Sequence, residues 1–454
     1  MTSAFALSPF GGAGSSPARA APGGPLRLAV VVQRYGAGIN GGAELHARYI
    51  AERLSRHASV EVLTTCARDY VTWRNELPPG EEHVNGVPVE RFPVDHEREL
   101  HDFARRSHRV FNAIHSIQDE IRWLDSEGPA SQSLVARLQA ARDEFDFVLL
   151  FSVRYYHAFH GARALPDRAV LVPTAEREAS LGLAIFQPIF RGVRAIMYNS
   201  FEEHAMIAAL ARNEHVPGVV VGIGSEVPDS VDPGRARLKF GLRDPFIVYV
   251  GRVDANKGCA DLFGHFLAYL RRSGRALDLV LVGRAVLDIP THPRIRHLGF
   301  VSDDDKFDVM AGAELLVMPS HYESLSMVAL EAWALGRPVL ANAQCDVLVG
   351  QCLRSNAGLY YENSGEFGAA LDALIDTPDL AATLGANGQA YFSRHYAWPV
   401  IEQRYLDMFQ RLTTNPPTHV MEPLPGWLAR RAARVPPGRA VVEALPSGPA
   451  RRTA

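Results

Sequence analysis

The sequence predicts an α/β protein with two doubly wound domains, and two observations carry this prediction. Nearly continuous apolar runs, such as residues 26–35 and 246–250, suit strands buried on both faces of a parallel sheet. Helical stripes follow these runs, so strand and helix alternate along the chain. The alternation starts twice, before and after a stretch rich in Gly, Pro and Asp at 217–245. We therefore expect one domain on each side of that stretch.

In the first half, an apolar strand at 26–35 leads through a glycine loop to a helix. That helix is indicated by apolar residues at i, i+3, i+4 and i+7, namely Ala47, Ile50, Ala51 and Leu54. Further strands are predicted at 60–64, 147–151, 169–172 and 195–197. A polar, helix-like insertion at about 97–144 interrupts the alternation. We assign this domain to residues 27–222.

In the second half, strands are predicted at 246–250, 277–282, 315–318, 338–341 and 358–361, with helices between them. We assign this domain to residues 223–396. A last helix at 397–414 follows, marked by Ile401, Tyr405, Met408 and Leu412. Residues 1–26 are predicted to be a disordered leader and residues 415–454 a tail rich in Pro and Arg.

Composition excludes several classes of protein. The 454 residues are 47% hydrophobic and 21% charged, which excludes wholesale disorder. A net charge of −3 gives no global basic field, so we expect no nucleic-acid partner. The cysteines, Cys66, Cys259, Cys345 and Cys352, lack the spacing of a zinc site or a disulfide framework. The cysteine spacing indicates a cytoplasmic protein. The lack of an apolar run of about 20 residues indicates that the chain does not span a membrane.

The two ends of the chain carry different expectations. Residues 1–26 have neither a basic stretch nor a continuous apolar stretch, so a secretory signal is not expected. The segment 427–454 carries six arginines against the single acid Glu443. Residues 427–435 could form a short amphipathic helix on anionic lipid, giving peripheral contact with the inner face of the membrane. The favoured alternative is an unstructured, solvated tail.

The glycine loop after the first strand matches G-x-G-x-x-G from Gly36 to Gly41. A dinucleotide-binding loop would also need an acidic residue at the end of the second strand, where residues 63–66 read Leu-Thr-Thr-Cys. What remains is Gly41 and Gly42, small residues that let a substrate approach the backbone at a helix start. The alternative is that these glycines only turn the chain.

In the second half, Arg252 and Lys257 flank a strand-to-helix turn. An arginine offers a planar fork to phosphate oxygens and a lysine offers a mobile point charge, so the pair is suited to holding a diphosphate whose negative charge grows as a bond breaks. Each could separately be an ordinary surface cation. The pattern downstream favours the binding interpretation.

A second helix start follows the predicted strand at 315–318. Glu323 lies in the loop, and the free N–H groups of Ser324, Leu325, Ser326 and Met327 are expected to donate hydrogen bonds to a phosphate. Glu331 lies two turns later within the apolar stretch Val-Ala-Leu-Glu-Ala-Trp-Ala-Leu, where a carboxylate needs a partner. The two glutamates could then contact opposite ends of one ligand, the alternative being two ordinary surface glutamates.

Together, Arg252, Lys257, the Pro319-Ser320 pair and the E-x7-E pair Glu323/Glu331 resemble the donor site of retaining glycosyltransferases of the GT-B fold, family 4 in particular. The resemblance covers about residues 27–412. It implies two Rossmann-like domains facing each other across a cleft, with the final helix crossing back to the first domain. It also implies a nucleoside-diphosphate sugar as donor, a hydroxyl acceptor on a glycan or lipid, and neither metal nor cofactor.

The resemblance implies a role for each matching residue. Arg252 and Lys257 would hold the β-phosphate, Glu323 would contact the sugar and Glu331 the ribose. Arg252, Lys257 and Glu323 are therefore the expected catalytic residues. Gly41 and Gly42 would face the donor across the cleft, which places them with the donor-binding residues Ser324–Met327 and Glu331.

The sequence departs from the family at two places. The family often has Gly-Phe-Gly-Leu where residues 324–327 read Ser-Leu-Ser-Met, which keeps the backbone donors and adds bulk. The family often has a histidine after an amino-domain strand, where residues 172–176 read Val-Pro-Thr-Ala-Glu. The candidates on this acceptor side are Glu176 and His157, although a histidine on a helix is more often structural.

Other interpretations were weighed. Asp303, Asp304 and Asp305 could hold a metal ion, but Ser302 before them favours a capped helix start. A nucleotide-sugar epimerase or an inverting transferase on the same fold is an alternative function. A catalytically silent nucleotide-sugar-binding protein is a second alternative, and an NAD-dependent oxidoreductase is a distant third.

Overall fold

The computed structural model describes residues 24–39, 41–424, 438–443 and 445. Within these residues the strands form two sheets, one of eight strands and one of six. Both are covered by helices, which confirms the doubly wound α/β prediction. We call the part built on the eight-stranded sheet the amino lobe and the part built on the six-stranded sheet the carboxyl lobe. The predicted leader lies almost wholly outside the described residues, as does the basic segment 427–435.

The sheet of the amino lobe has the order β3-β4-β2-β1-β5-β6-β7-β8. Among these described strands only the β3–β4 pair is antiparallel. The strands are β1 (Arg27–Val31), β2 (Ser59–Thr65), β3 (Gly80–Val84), β4 (Val87–Phe92), β5 (Phe147–Phe151), β6 (Ala169–Val172), β7 (Ala195–Tyr198) and β8 (Gly218–Val220). The central strands are fully buried, as their apolar runs predict.

The helices of the amino lobe are α1 (Gly42–Leu54), α2 (Leu100–Asn112), α3 (Ile117–Glu127), α4 (Gln132–Ala140), α5 (Tyr156–Ala164), α6 (Gln187–Gly192) and α7 (Phe201–Ala211). Helices α2 to α4 form the polar insertion between β4 and β5. Helix α3 begins in a reciprocal capping box between Ser116 and Asp119, and α7 begins with Ser200 accepting from the Glu203 N–H.

The sheet of the carboxyl lobe has the order β11-β10-β9-β12-β13-β14. Its strands are β9 (Phe246–Val250), β10 (Asp278–Val282), β11 (Ile295–Gly299), β12 (Leu316–Met318), β13 (Val339–Asn342) and β14 (Gly358–Tyr361). Its helices are α8 (Pro233–Phe240), α9 (Cys259–Ser273), α10 (Asp303–Gly312), α11 (Met327–Ala334), α12 (Asp346–Ser355), α13 (Ser364–Asp376) and α14 (Pro378–His395). Ser302 caps α10 by accepting from the Asp305 N–H, as the capping interpretation predicts.

Helix α15 (Trp398–Thr414) leaves the carboxyl lobe and packs on the amino lobe. Phe409 stacks on Phe147 of β5 with ring centroids 5.4 Å apart, and Arg194 donates to the Leu412 carbonyl at 2.7 Å. The chain then follows the amino lobe as far as Met421, which lies against Gly192. A short helix, α16 (Gly438–Glu443), lies in the tail.

Four strands went unpredicted, and each lacks the apolar run on which the prediction depended. Strand β3 is mostly exposed, and with β4 it forms a hairpin across Asn85-Gly86, a dipeptide that favours tight turns. Strands β8 and β11 lie at sheet edges and are only partly buried. In the part of the chain that the structure describes, no helix has both the length and the apolar character to span a bilayer.

Candidate active site

The turn after β9 is shaped by two glycines in conformations that side chains rarely adopt. Gly251 has a φ of 148° and Gly258 a φ of 72°. A Cβ at Gly258 would lie only 2.1 Å from the carbonyl oxygen of Pro319, so this turn packs directly on the loop after β12. That close packing of two backbones brings Lys257 next to Glu323, although 66 residues separate them in sequence.

Lys257 and Glu323 form an ion pair. The Lys257 Nζ donates to Glu323 Oε1 at 2.9 Å, and both side chains are partly buried. Burial alone would lower the pKa of Lys257, but the negative charges of Glu323 and Glu176 outweigh it and raise that pKa overall. The ammonium group therefore stays charged and lies between carboxylates of both lobes.

Arg252 reaches from the turn toward the amino lobe. Its Nη1 donates to the hydroxyl of Tyr70 at 2.5 Å, and its Nε lies 2.8 Å from Asp254 Oδ2. That Nε is buried, and among the described residues it makes no hydrogen bond of good geometry. The guanidinium is thus held at the cleft with donor capacity left over.

Helix α11 begins one turn later than the sequence predicted. Its first residue is Met327, and Ser326 is the N-cap, with a φ of 70° and its hydroxyl facing the Ala329 N–H at 3.4 Å. Residues 324 and 325 belong to the loop before the helix, and Leu325 is buried in the core. Among the described residues, the N–H groups of 324–326 have no acceptor, so this segment still presents backbone donors.

Glu331 is buried on α11 and has the partners that its apolar surroundings require. Its Oε1 accepts from Ser225 Oγ at 2.9 Å and from Lys306 Nζ at 3.1 Å. Its Oε2 is buried with no hydrogen-bond partner in the described part of the chain. An orphaned, buried carboxylate oxygen of this kind fits a ligand hydroxyl better than solvent.

In the amino lobe, Gly41 immediately precedes α1. A Cβ at Gly41 would lie 2.0 Å from Glu44 Oε2, whereas a Cβ at Gly42 would meet nothing within 4 Å. Glu44 is buried and accepts from Arg34 Nε at 2.8 Å and from its Nη2 at 2.5 Å. Gly41 therefore makes room for a buried ion pair, while Gly42 leaves open space at the helix start.

Glu176 follows β6 on a loop of constrained geometry. Thr174 has a φ of 47°, and the Ala175 N–H donates to the buried carboxylate of Glu203 at 2.5 Å. Burial raises the pKa of Glu176 to about 7; the charge of Lys257 opposes this rise and that of Glu323 adds to it. The charges of Lys257 and Glu323 in the carboxyl lobe thus act on Glu176 in the amino lobe.

Comparison with known proteins finds similarity to glycosyltransferases. The family model described as "Glycosyl transferases group 1" matches residues 244–377. The chain is 26% identical over 420 residues to the D-inositol 3-phosphate glycosyltransferase of Acidothermus cellulolyticus, covering 83% of this chain and 88% of that one. It is 30% identical over 169 residues to the alpha-D-kanosaminyltransferase of Streptomyces kanamyceticus, which covers 33% of this chain and 42% of that relative.

Solved structures agree at the level of the fold. Anabaena HepE in complex with UDP-glucose superposes with a TM-score of 0.61 at 18% identity, covering 85% of this chain and all of that one. Sucrose-phosphate synthase from Thermosynechococcus elongatus gives a TM-score of 0.61 at 16% identity, covering 86% and 99%. The chain is a glycosyltransferase with the GT-B fold.

One of the site residues predicted for this glycosyltransferase does not reach the cleft. His157 on α5 is only 1% exposed, and its Nε2 lies 2.8 Å from the carbonyl oxygen of Phe151. Burial lowers the pKa of His157 to about 4, so the ring is neutral. The acceptor-side prediction for His157 is therefore wrong, because the side chain ties α5 to the end of β5 and contacts no open space.

The structure adds residues to the site that the sequence did not indicate. In the amino lobe these are Tyr70, Arg34 and Glu44. The other two are Ser225 and Lys306, which donate hydrogen bonds to Glu331. A buried Arg–Glu pair ten residues apart across a glycine loop has no distinctive sequence signal. For Lys306, the only sequence signal is its place just after the Asp303–Asp305 run, which drew attention to the acids.

Proposed function

We propose that this glycosyltransferase moves a sugar from a nucleoside-diphosphate donor to a hydroxyl acceptor with retention of the anomeric configuration. The observation that carries the proposal is the convergence of three kinds of group at one edge of the carboxyl lobe. These are the cations Arg252 and Lys257, the N–H groups of 324–326 that have no acceptor among the described residues, and the unpartnered oxygen of Glu331. The cations and the N–H groups suit phosphates, and the unpartnered oxygen of Glu331 suits a ribose hydroxyl.

The roles follow from charge and reach. Arg252 and Lys257 hold the β-phosphate and stabilise the charge that develops as the bond from the anomeric carbon to the phosphate oxygen breaks. Glu323, which already pairs with Lys257, accepts hydrogen bonds from sugar hydroxyls, and Glu331 Oε2 accepts from the ribose. The acceptor oxygen attacks the same face of the sugar, and its proton passes to the departing phosphate oxygen.

The amino lobe supplies the acceptor side. Open space at Gly42 lets the donor approach the start of α1, and Glu176 faces the reacting region from the end of β6. Both E-x7-E glutamates, Arg252 and Lys257 fit the family 4 type of this fold, so we assign the protein to that type. Closure of the cleft would exclude water and suppress donor hydrolysis.

We infer that the positive charge at the diphosphate comes from Arg252 and Lys257, with neither a metal ion nor a cofactor required. The expected acceptor is a glycan or lipid-linked hydroxyl of a surface polysaccharide or glycolipid, handled in the cytoplasm. The relatives support a broad class of acceptors, since they include an MMP alpha-(1->4)-mannosyltransferase of Mycolicibacterium hassiacum. The basic segment 427–435 would give peripheral membrane contact.

The first experiment is a thermal-stability screen of the full chain against UDP, GDP and their sugars, with and without EDTA. A ligand that binds the native state raises the melting temperature, and EDTA should leave that rise unchanged. Transfer with the stabilising donor is then followed by NMR of the anomeric proton. Retained configuration supports the proposal. Inversion, epimerisation without transfer, or binding without turnover would each replace it with the corresponding alternative.

A further inference from the structure

The loop that follows β2 in the amino lobe presents one exposed aromatic residue to the carboxyl lobe. Tyr70 is 46% exposed, yet its hydroxyl accepts from Arg252 Nη1 at 2.5 Å. The two residues are 182 positions apart and belong to different lobes. Arg252 therefore contacts the amino lobe through this phenol.

The loop is held firmly enough to position that phenol. Arg34 Nη1 donates to the Arg68 carbonyl at 2.7 Å, and the Arg98 N–H donates to the Thr72 carbonyl at 2.6 Å. The side chain of Asp69 accepts from the Val71 N–H at 2.5 Å. These three contacts hold the backbone on both sides of Tyr70, the residue whose hydroxyl reaches Arg252.

Two guanidinium groups lie against the Tyr70 ring, one from each lobe. The Arg252 guanidinium carbon is 5.6 Å from the ring centroid and that of Arg34 is 5.5 Å away. Arg34 is committed to Glu44 and to the Arg68 carbonyl. Arg252 Nε is buried against Asp254, but among the described residues the guanidinium donates one hydrogen bond, to Tyr70, so its Nη2 keeps donors for a ligand.

A phenol suits this position because it accepts a hydrogen bond without cancelling the positive charge. Asp254 already places one carboxylate against Arg252 Nε, and a second one in place of the phenol would compete further with the diphosphate for the guanidinium. Fixing the long arginine side chain before the ligand arrives also removes part of the conformational entropy lost on binding.

We propose that Tyr70 is a positioning residue for the donor diphosphate, acting through Arg252 and joining the two lobes at the point where the β-phosphate binds. This inference rests on the proposed function of Arg252. Tyr70 orients the guanidinium so that its remaining N–H groups face the diphosphate. Binding at Arg252 is thereby coupled to the Gly41–Glu44 region through Tyr70 and Arg34.

The test uses Tyr70→Phe in the full chain, which removes the hydroxyl and keeps the ring. Affinities for UDP, GDP, UMP and GMP are measured by isothermal titration calorimetry, with melting temperatures as a check on folding. Tyr70→Phe should weaken binding of the preferred diphosphate about tenfold, because a hydrogen bond to a charged group is lost. It should leave the affinity for the matching monophosphate unchanged.

Controls separate this inference from the proposed function. Tyr360→Phe removes a hydroxyl of nearly equal exposure, 45%, from the edge strand β14 and should change neither affinity. Arg252→Ala should weaken diphosphate binding more than Tyr70→Phe does. If Arg252→Ala has no effect, the proposed function of Arg252 fails.

If Arg252→Ala weakens binding and Tyr70→Phe does not, the positioning role of Tyr70 alone is overturned. Equal loss of monophosphate and diphosphate affinity in Tyr70→Phe would also overturn it, since that pattern indicates general disruption of the pocket.

Discussion

The two walls of the cleft hold their charged groups in different ways. On the carboxyl-lobe wall, side chains form short ion pairs with one another, Lys257 with Glu323 and Lys306 with Glu331. On the amino-lobe wall, Arg34 also pairs with Glu44, but arginines there pack on aromatic rings and hold backbone carbonyls as well, as Arg98 does over Trp73 and at the Tyr70 carbonyl. The first wall presents groups that a ligand can take over. On the amino-lobe wall the charged groups mainly hold loops in place.

This difference explains which wall the sequence reveals. Each group of the carboxyl wall lies within a local unit of strand, loop and helix, so its spacing is visible in the sequence. On the amino wall, Tyr70 contacts an arginine 182 residues later, and the Arg34–Glu44 pair, although ten residues apart, forms no recognisable motif. If the carboxyl-lobe wall binds the ligand and the amino-lobe wall holds loops, substitutions on the two walls should have different effects, the largest of which comes first below.

Replacing Lys257 with methionine should reduce kcat/KM with the identified donor by about 10²- to 10³-fold, because a fixed charge at the leaving group is lost. The matched control is Lys239→Met, which removes an exposed lysine paired with Asp305 at 2.8 Å. Steady-state kinetics of both variants checks the prediction. Similar rates for both would contradict the role of the carboxyl wall.

Glu203 should make the stability of the amino wall depend on pH. Burial raises the pKa of Glu203 to about 8, outweighing the hydrogen bonds from the Asn199 and Ala175 N–H groups. Between about pH 4.5 and 8 only the unfolded state releases this proton, so stability should fall as pH rises, by on the order of a few kcal/mol. The unfolding free energy, measured with urea at several pH values, should fall less steeply with rising pH in Glu203→Gln than in the unchanged protein. An unchanged slope would contradict the assignment.

Gly41→Ala and Gly42→Ala form a matched pair on the amino wall. The first should lower the unfolding free energy by about 1–2 kcal/mol, because the new methyl group displaces Glu44 from Arg34. The second fills open space at a helix start and should stabilise by about 0.5 kcal/mol. Denaturant unfolding measures both. If Gly42→Ala is stable but loses donor affinity, the donor approaches that position, as proposed.

The smallest effect is expected at Ser326, which caps α11 from a left-handed conformation. Ser326→Gly relieves about 1 kcal/mol of backbone strain and loses only a few tenths of a kcal/mol of capping. A net rise in stability of about 0.5 kcal/mol should appear in thermal unfolding. A fall instead would show that the long Oγ contact with the Ala329 N–H matters more than the strain.

The fold was predictable because strands buried on both faces of a parallel sheet have nearly continuous apolar sequences. Strands such as β9 and β5 were located within a residue, whereas β3 and β11 lacked that signal and were missed. For the site, the turn at Arg252 and Lys257 and the spacing of Glu323 and Glu331 were visible in the sequence. Tyr70 was not, because an exposed tyrosine in a loop acquires meaning only when a residue 182 positions later reaches it.

The crossing of α15 has a consequence for how the chain is made. Phe409 covers Phe147, and Tyr405 and Ile401 are fully buried in the same cluster as the first strand. The first half of the polypeptide therefore leaves the ribosome without the last piece of its own interior and must wait for roughly two hundred further residues to be synthesised. A nascent chain stalled near residue 230 should expose the apolar surface that α15 later covers, and chaperones should bind it. They should dissociate only after residue 412 has been synthesised.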